Sequence, residues 1–269
     1  MECSARNGRE GATRPPRGMD ALPRVRKVLA SLADAVWPRT CAVETCGRPV
    51  DRPRRHICSA CFATLPFHEP GGACSVCGAP VPANTPHSFV CEACASHPPP
   101  YERTCSALDY AAPLDMLVQA FKYNRASWLA EDFADLLEGA VRARLDSHSV
   151  DVIFPVPLHP NRQRKRGYNQ SALLARALAR RLARRCDEVS LARTRDTPKQ
   201  SLLKGSERRQ NLKAAFAAVR PSFIRGRTIL LVDDVTTTGS TLAAAAEPLR
   251  AAGAAHIWCA TLARAPHEP

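Results

Sequence analysis

The chain has 269 residues, of which 45% are apolar and 23% charged. That length buries a substantial core in one or two domains, and the balance excludes global disorder. No stretch approaches the roughly 18 unbroken apolar residues of a membrane-spanning helix, while 38 Lys and Arg against 25 Asp and Glu, a net +13, point to an anionic partner: phosphate, nucleotide or nucleic acid.

Residues 1–18 are polar and Arg-rich and read as a disordered leader. They lack the apolar core of a secretory signal, which predicts a cytoplasmic protein. Residues 19–38 hold a short amphipathic helix, with Leu22, Val25, Val28, Leu29, Leu32 and Val36 on one side.

Residues 39–97 are organised by cysteines. Eight of the twelve form four pairs: Cys41 and Cys46, Cys58 and Cys61, Cys74 and Cys77, Cys91 and Cys94. Three pairs have CxxC spacing, the first has four intervening residues, and the gaps between pairs are 11, 12 and 13 residues. In a reducing cytosol such pairs hold metal rather than disulfides. Two pairs complete one tetrahedral Zn²⁺ shell, so four pairs imply two structural zinc sites. Sequential pairing groups Cys41, Cys46, Cys58 and Cys61, then Cys74, Cys77, Cys91 and Cys94; an interleaved, cross-braced pairing is the alternative. An all-cysteine shell leaves no position for water, so the zinc is not catalytic. His56, His68 and His87 read as surface or loop residues, because the cysteines already complete each shell. Cys3, Cys105, Cys186 and Cys259 read as incidental or buried thiols. Pro98, Pro99 and Pro100 mark a stiff hinge at the domain boundary.

Residues 98–269 alternate strands and helices, the pattern of an α/β domain. Helical periodicity covers 114–121, 127–145, 171–185 and 240–252. Strands are predicted over 150–157, 227–232 and 256–262. The 227–232 run is short, apolar and bounded by Gly226 and Asp233, as for a buried parallel strand.

The sharpest chemical signal follows that strand. Asp233 and Asp234 precede a turn of hydroxyls and one glycine, Thr236, Thr237, Thr238, Gly239, Ser240 and Thr241, which opens a helix. Backbone N–H groups, hydroxyls and the positive end of the helix converge there, which makes a phosphate cradle. Two carboxylates disfavour phosphate but accept hydrogen bonds from sugar hydroxyls. Together the parts suit a ribose 5-phosphate. The turn has no Walker lysine and only one glycine, so neither a P-loop nor a dinucleotide fingerprint fits.

Residues 161–185 carry nine Lys or Arg and no acid. Arg176, Arg180, Arg181, Arg184 and Arg185 read as the solvated face of the 171–185 helix. Arg162 to Arg166 read as a loop beside a second anion site. Aromatic residues do not interleave with this run, so no base-stacking platform is evident.

The Asp233–Thr241 run resembles the phosphoribosyl pyrophosphate (PRPP) signature of type I phosphoribosyltransferases. The resemblance implies a parallel sheet with helices on both faces. It implies that Asp233 and Asp234 bind the ribose hydroxyls and that the turn binds the 5-phosphate. A second loop, at Pro157, Leu158 and His159 with the basic stretch beyond, would take pyrophosphate with Mg²⁺. Arg166-Gly167-Tyr168-Asn169-Gln170 is similar to the RGxNQ element of the ComF family, phosphoribosyltransferase-like competence proteins with cysteine-rich N-terminal ribbons. Lys122-Tyr123, and the group Arg193, Thr194, Gln200, Arg208, Asn211, Ala215 and Phe216, are similar as well. Lys122, Gln200, Arg208 and Asn211 are candidates for a mobile hood over the site.

Membership implies a role in natural transformation, handling incoming single-stranded DNA. Three functions compete. The first is a PRPP-binding protein of DNA uptake. The second is a true phosphoribosyltransferase with an unidentified base or amine acceptor; no residue declares itself as a catalytic base. The third is an adaptor whose ribbons dock a DNA-translocation helicase.

Overall fold

The computed structural model describes residues 39–53, 55–68, 72–81, 85, 89–196 and 215–266. The predicted leader, the 19–38 helix, His87 and the hood candidates Gln200, Arg208 and Asn211 lie outside the described residues.

In chain order the elements are α1 (Ser59–Ala63), α2 (Glu92–Ser96), β1 (Arg103–Asp109), α3 (Leu114–Tyr123), α4 (Ala130–Arg144), β2 (Val152–Pro155), α5 (Pro160–Arg166) and α6 (Gln170–Leu182). There follow β3 (Arg185–Cys186), β4 (Leu191–Arg193), β5 (Phe216–Ala218), α7 (Pro221–Ile224), β6 (Thr228–Thr236), α8 (Ser240–Ala251) and β7 (His256–Arg264). Five strands form one parallel sheet in the order β1-β7-β6-β2-β3, and β4 pairs with β5 in a small antiparallel ribbon.

Strand β6 lies at the centre and explains the layering. Successive side chains of a strand point to opposite faces. Leu230 and Val232 pack with α3, α4 and α6, while Ile229 and Leu231 pack with α8, α7 and Phe216. Both faces are therefore covered, which is why the run reads as continuously apolar.

Helix boundaries follow local chemistry. Glu131 and Asp132 stand in the first turn of α4 and Arg142 and Arg144 in its last, complementing the helix dipole. Helix α6 starts at Asn169, whose side chain accepts from Ser171 N–H. It stops at Leu182 because Ala183 turns left-handed at φ 52°. Arg184 and Arg185 therefore leave the helix assigned to them, and Arg185 begins β3. The stretch expected as a basic loop is instead α5, with Pro160 in its first turn, a His159 cap and Gly167 at φ 89° closing it. Arg176 pairs with Glu188 and Arg180 with Glu131 on a solvated face, as expected; Arg181 is instead largely covered and bridges to Glu131 and Asp135 of α4.

Strand β1 is a sheet edge, and an uncovered edge invites pairing with another chain. The cysteine-rich segment covers it. Thr104 N–H donates to Val76 O at 2.7 Å, His68 N–H to Ala107 O at 3.1 Å, and Asp109 N–H to Pro66 O at 2.8 Å. The same segment docks on α4 through Asp132, which is fully buried. Asp132 accepts from the backbone N–H of His56 at 3.0 Å and of Ile57 at 3.3 Å, with Arg52 at 3.7 Å. Cys41, Val43, Ile57, Cys58 and Leu65 join the main core on that face. The proline run thus connects packed bodies and does not space them apart. His56 and His68 are not loose surface residues either. His56 lies 4.5 Å from the Trp128 ring, and buried His68 has Nδ1 2.6 Å from Asp109.

Removing the Asp132 carboxylate leaves the buried backbone N–H groups of His56 and Ile57 without their acceptor, while Arg52 keeps Asp135 at 3.2 Å. Asp132→Ala should cost about 3 kcal/mol in a urea melt of zinc-loaded protein. Colourimetric zinc release should begin at a lower urea concentration than in the wild type.

Candidate functional site

The cysteine pairs combine sequentially. In each tetrad, Cys41, Cys46, Cys58 and Cys61, or Cys74, Cys77, Cys91 and Cys94, all the sulfurs lie within 4.8 Å of one another. A tetrahedron with arms of about 2.3 Å has edges of about 3.8 Å. Cys46 Sγ to Cys58 Sγ and Cys77 Sγ to Cys91 Sγ are each 3.8 Å. Backbone amides point at the sulfurs: Cys58 N–H at Cys41 Sγ (3.4 Å), Cys61 N–H at Cys58 Sγ (3.4 Å) and Cys91 N–H at Cys74 Sγ (3.3 Å). Burial opposes ionisation of Cys74, yet amides from Cys91, Cys77 and Val76 outweigh it and bring the thiol down to about 7. Both donor sets fit structural zinc.

The second site is a cleft of about 800 Å³ at the carboxyl ends of β2 and β6. Its walls carry Lys122, Arg125, Arg162, Lys165, Arg166 and Arg193, against Asp196, Asp233 and Asp234. Six cations facing three carboxylates favour an anionic ligand.

The two carboxylates at the end of β6 are buried. Asp233 accepts from Ser171 Oγ at 2.7 Å and from Asp234 N–H at 2.9 Å. Burial, then the charge of Asp234, push the Asp233 carboxyl up to about 7. Lys122 Nζ at the end of α3 lies 3.2 Å from Asp234 Oδ1. Burial works against the Lys122 ammonium, but Asp234 and Asp233 outweigh it and raise its pKa. Asp234 Oδ2 is buried, and no described group donates to it. A buried carboxylate oxygen in a cleft wall without a donor suits a ligand hydroxyl.

The other predicted residues fall into place around this pair. Thr236 is buried in the β6–β7 ladder, and its carbonyl accepts from Ala265 N–H. Thr237 and Thr238 are half-buried in the turn; Thr238 Oγ1 donates to Ser240 Oγ at 3.1 Å. Thr241 lines the cleft, as do Pro157 and Leu158. His159 instead caps α5, accepting from Asn161 N–H. Residues 166 to 170 form the junction of α5 and α6. Gly167 makes the left-handed turn, Asn169 donates to Val156 O at 3.0 Å, and Arg166 donates to Gln170 Oε1 at 2.6 Å. Tyr168 OH donates to Phe121 O. Ser171, Arg193, Arg125 and Lys165 complete the cleft. Ser171 directly follows the motif, the one hint in the sequence that it belongs there.

Comparison with known proteins agrees with this geometry. A family model described as phosphoribosyl transferase domain matches residues 169–269, and one described as double zinc ribbon domain matches residues 32–95. DNA utilization protein YhgH of Escherichia coli (strain K12) is 37% identical over 219 residues, covering 80% of this chain and 93% of that one. Competence protein F of Haemophilus influenzae is 36% identical over 216 residues, covering 78% and 90%. The chain belongs to the ComF family. Competence protein ComFC of Bacillus subtilis is a more distant member, 28% identical over 221 residues and covering 79% and 86%.

In this ComF-family chain the Thr237–Thr241 turn is built against the ribbon. Gly239 has φ 75°, and a Cβ there would stand 2.8 Å from the Tyr101 hydroxyl. Tyr101 is buried in the segment that leaves the second tetrad. Beside it, Arg264 Nη1 donates to Cys77 O at 2.6 Å and Thr104 N–H donates to Val76 O. Nothing in the sequence around Tyr101 announces this contact.

Gly239→Ala should weaken ligand binding about tenfold, from left-handed strain plus the clash. Tyr101→Phe in the same chain should recover part of that loss, because it removes the clashing oxygen and leaves the strain. Calorimetric titration of ribose 5-phosphate into the wild type and these two variants checks this.

Asp233 also sets a pH dependence. An unfolded Asp titrates near 3.9, whereas the native carboxyl titrates near 7. Between those values the native state holds a proton that the unfolded chain has lost, so stability falls as pH rises through the window. Urea midpoints from pH 5 to 8 should fall with pH in the wild type, and the slope should flatten in Asp233→Asn.

Proposed function

We propose that this ComF-family protein binds PRPP, or a closely related ribose phosphate, with Mg²⁺ in the cleft. Its setting would be natural competence, where it handles incoming single-stranded DNA in the cytoplasm. The observation that carries the reading is the buried, donor-free oxygen of Asp234, beside Lys122 and one turn before the Thr237–Thr241 cradle. The ribose hydroxyls donate to Asp233 and Asp234. The amides and hydroxyls of the turn hold the 5-phosphate. Arg166 and Lys165 share the pyrophosphate charge with the Mg²⁺ that accompanies PRPP. The setting is supported by the names of the relatives, two competence proteins and a DNA utilization protein.

Turnover is a second reading, favoured by Asp233. A buried carboxyl titrating near 7 is poised to accept a proton at neutral pH. The bond to the sugar C1 would then pass from pyrophosphate to a base or amine.

Phosphorus NMR of PRPP and Mg²⁺ with zinc-loaded protein tests both readings. Broadened, unconsumed PRPP signals that sharpen again in Asp233→Asn/Asp234→Asn are the expected result. Pyrophosphate appearing only with an added base or amine, and only with both Asp intact, would make the protein a transferase. Unbroadened signals in the wild type would sink the PRPP assignment.

A further inference from the structure

The two cysteine tetrads pack against opposite faces of the sheet. Cys41, Val43, Ile57, Cys58 and Leu65 of the first ribbon join the cluster that contains Leu230 and Val232, on the α4 side. Val76, inside the Cys74–Cys77 knuckle, packs instead on the cluster that contains Tyr101, Ile229, Leu231 and Leu242, on the α8 side. The Thr237–Thr241 turn opens α8, so the second tetrad stands on the turn's side of the sheet.

Two routes of contact join that knuckle to the turn, one at each end. At the start of the turn, Cys77 O accepts from the buried Arg264 Nη1 at 2.6 Å. Arg264 stands opposite Thr236 in the β6–β7 ladder, and the next residue, Ala265, donates its N–H to Thr236 O at 2.8 Å. Further along the turn, the hydroxyl of Tyr101 lies against Gly239. Tyr101 shares its core cluster with Val76, whose carbonyl also accepts from Thr104 N–H at 2.7 Å. Thr237 and Thr238 lie between the two held positions. The first ribbon's polar contacts with the α/β domain run instead to Asp132 and Asp135 of α4.

A short ribbon with four cysteines holds its shape through its metal. Without zinc in the second tetrad the knuckle is released, and both ends of the turn lose a support. A ligand held by that turn therefore binds the zinc-loaded form better, and by linkage it raises the affinity for zinc by the same factor.

We infer that the second tetrad, acting through Arg264 and Tyr101, couples zinc occupancy to ligand affinity in the cleft, and that the first tetrad is uncoupled from it. Arg264 and Tyr101 are then positioning residues for the turn. The inference rests on the ribose-phosphate reading of the cleft and adds a regulator of that site.

Equilibrium competition with a zinc chelator, read colourimetrically on the full chain with and without saturating ribose 5-phosphate, tests the coupling. The sugar phosphate should raise the zinc affinity of one site about tenfold, a usual size for coupling between sites, and leave the other unchanged. The responsive site should survive in Cys41→Ser/Cys46→Ser and be lost in Cys74→Ser/Cys77→Ser. Arg264→Met keeps both tetrads and should abolish most of the response, whereas Arg264→Lys, which can still donate to Cys77 O, should retain it. A purely structural Arg264 would change the zinc affinity but not its response to the ligand. Calorimetric titration of ribose 5-phosphate into the zinc-loaded wild type separates the two claims. Binding with no change at either zinc site, with an equal change at both, with a change at the first alone, or with a response that Arg264→Met leaves intact, would overturn the coupling and leave the ribose-phosphate reading standing. No binding to the zinc-loaded wild type would overturn that reading and the coupling with it.

Discussion

Two adjacent carboxylates are buried at the end of the central strand, and much of the fold is arranged to make that tolerable. A charge removed from water is costly unless it is paired and hydrogen-bonded. Asp233 and Asp234 draw their partners from three places: Lys122 from α3, Ser171 from α6 and the backbone of β6 itself. None of these elements is a sequence neighbour of the others. The pair is therefore stable only when α3, α6 and the sheet are assembled together. The compensation is also incomplete, because Asp234 lines the cleft and its buried Oδ2 has no donor among the described residues.

The zinc ribbons belong to the same body. Their segment supplies the hydrogen bonds that close the β1 edge, and its first half contributes residues to the main core. The metal sites rigidify a stretch too short and too proline-rich to hold its shape by burial alone. That segment also reaches the turn beside the cleft. Tyr101 packs under Gly239, and Arg264, at the end of β7, is bonded to Cys77 O. The left-handed turn that opens α8 thus rests on the knuckle of the second tetrad.

What was legible in the sequence is the chemistry that is local in the chain. Cysteine pairs at knuckle spacing, and two acids followed by a Thr-Gly turn, each lie within a few residues, so their geometry is nearly implied by their order. The central strand was legible because both of its faces are apolar. The rest depends on contacts between distant segments. Strand β1 reads Arg-Thr-Cys-Ser-Ala-Leu-Asp, with little apolar run, because its free edge is closed by the ribbon. Helix α5 reads as a basic loop because it is short and buries none of its side chains; its Pro start and Gly stop are what define it. The 166–170 motif could be recognised, but its physical content is a helix-to-helix junction that only the fold displays. Ser171 is hinted at only by its place directly after that motif, and Tyr101 carries no local signal at all.

The cleft's composition follows from that division of labour. Lys122 pairs with the acids at 3.2 Å, whereas the other cations come from other elements: Asp233 and Asp234 sit on β6, and Arg162, Lys165 and Arg166 sit on α5. Arg162 is partly neutralised by Asp196 at 3.1 Å, which leaves Lys165 and Arg166 as the stronger anion side. A simple phosphate would be drawn to α5 and the turn and repelled by the acid pair. A bare sugar would satisfy the acids and leave the cations unused. A ligand of the proposed class, with hydroxyls in its middle and anionic groups at its ends, would match both kinds of wall. Lys122, shared between the acid pair and the open cleft, lets that middle segment lie against carboxylates without building up negative charge.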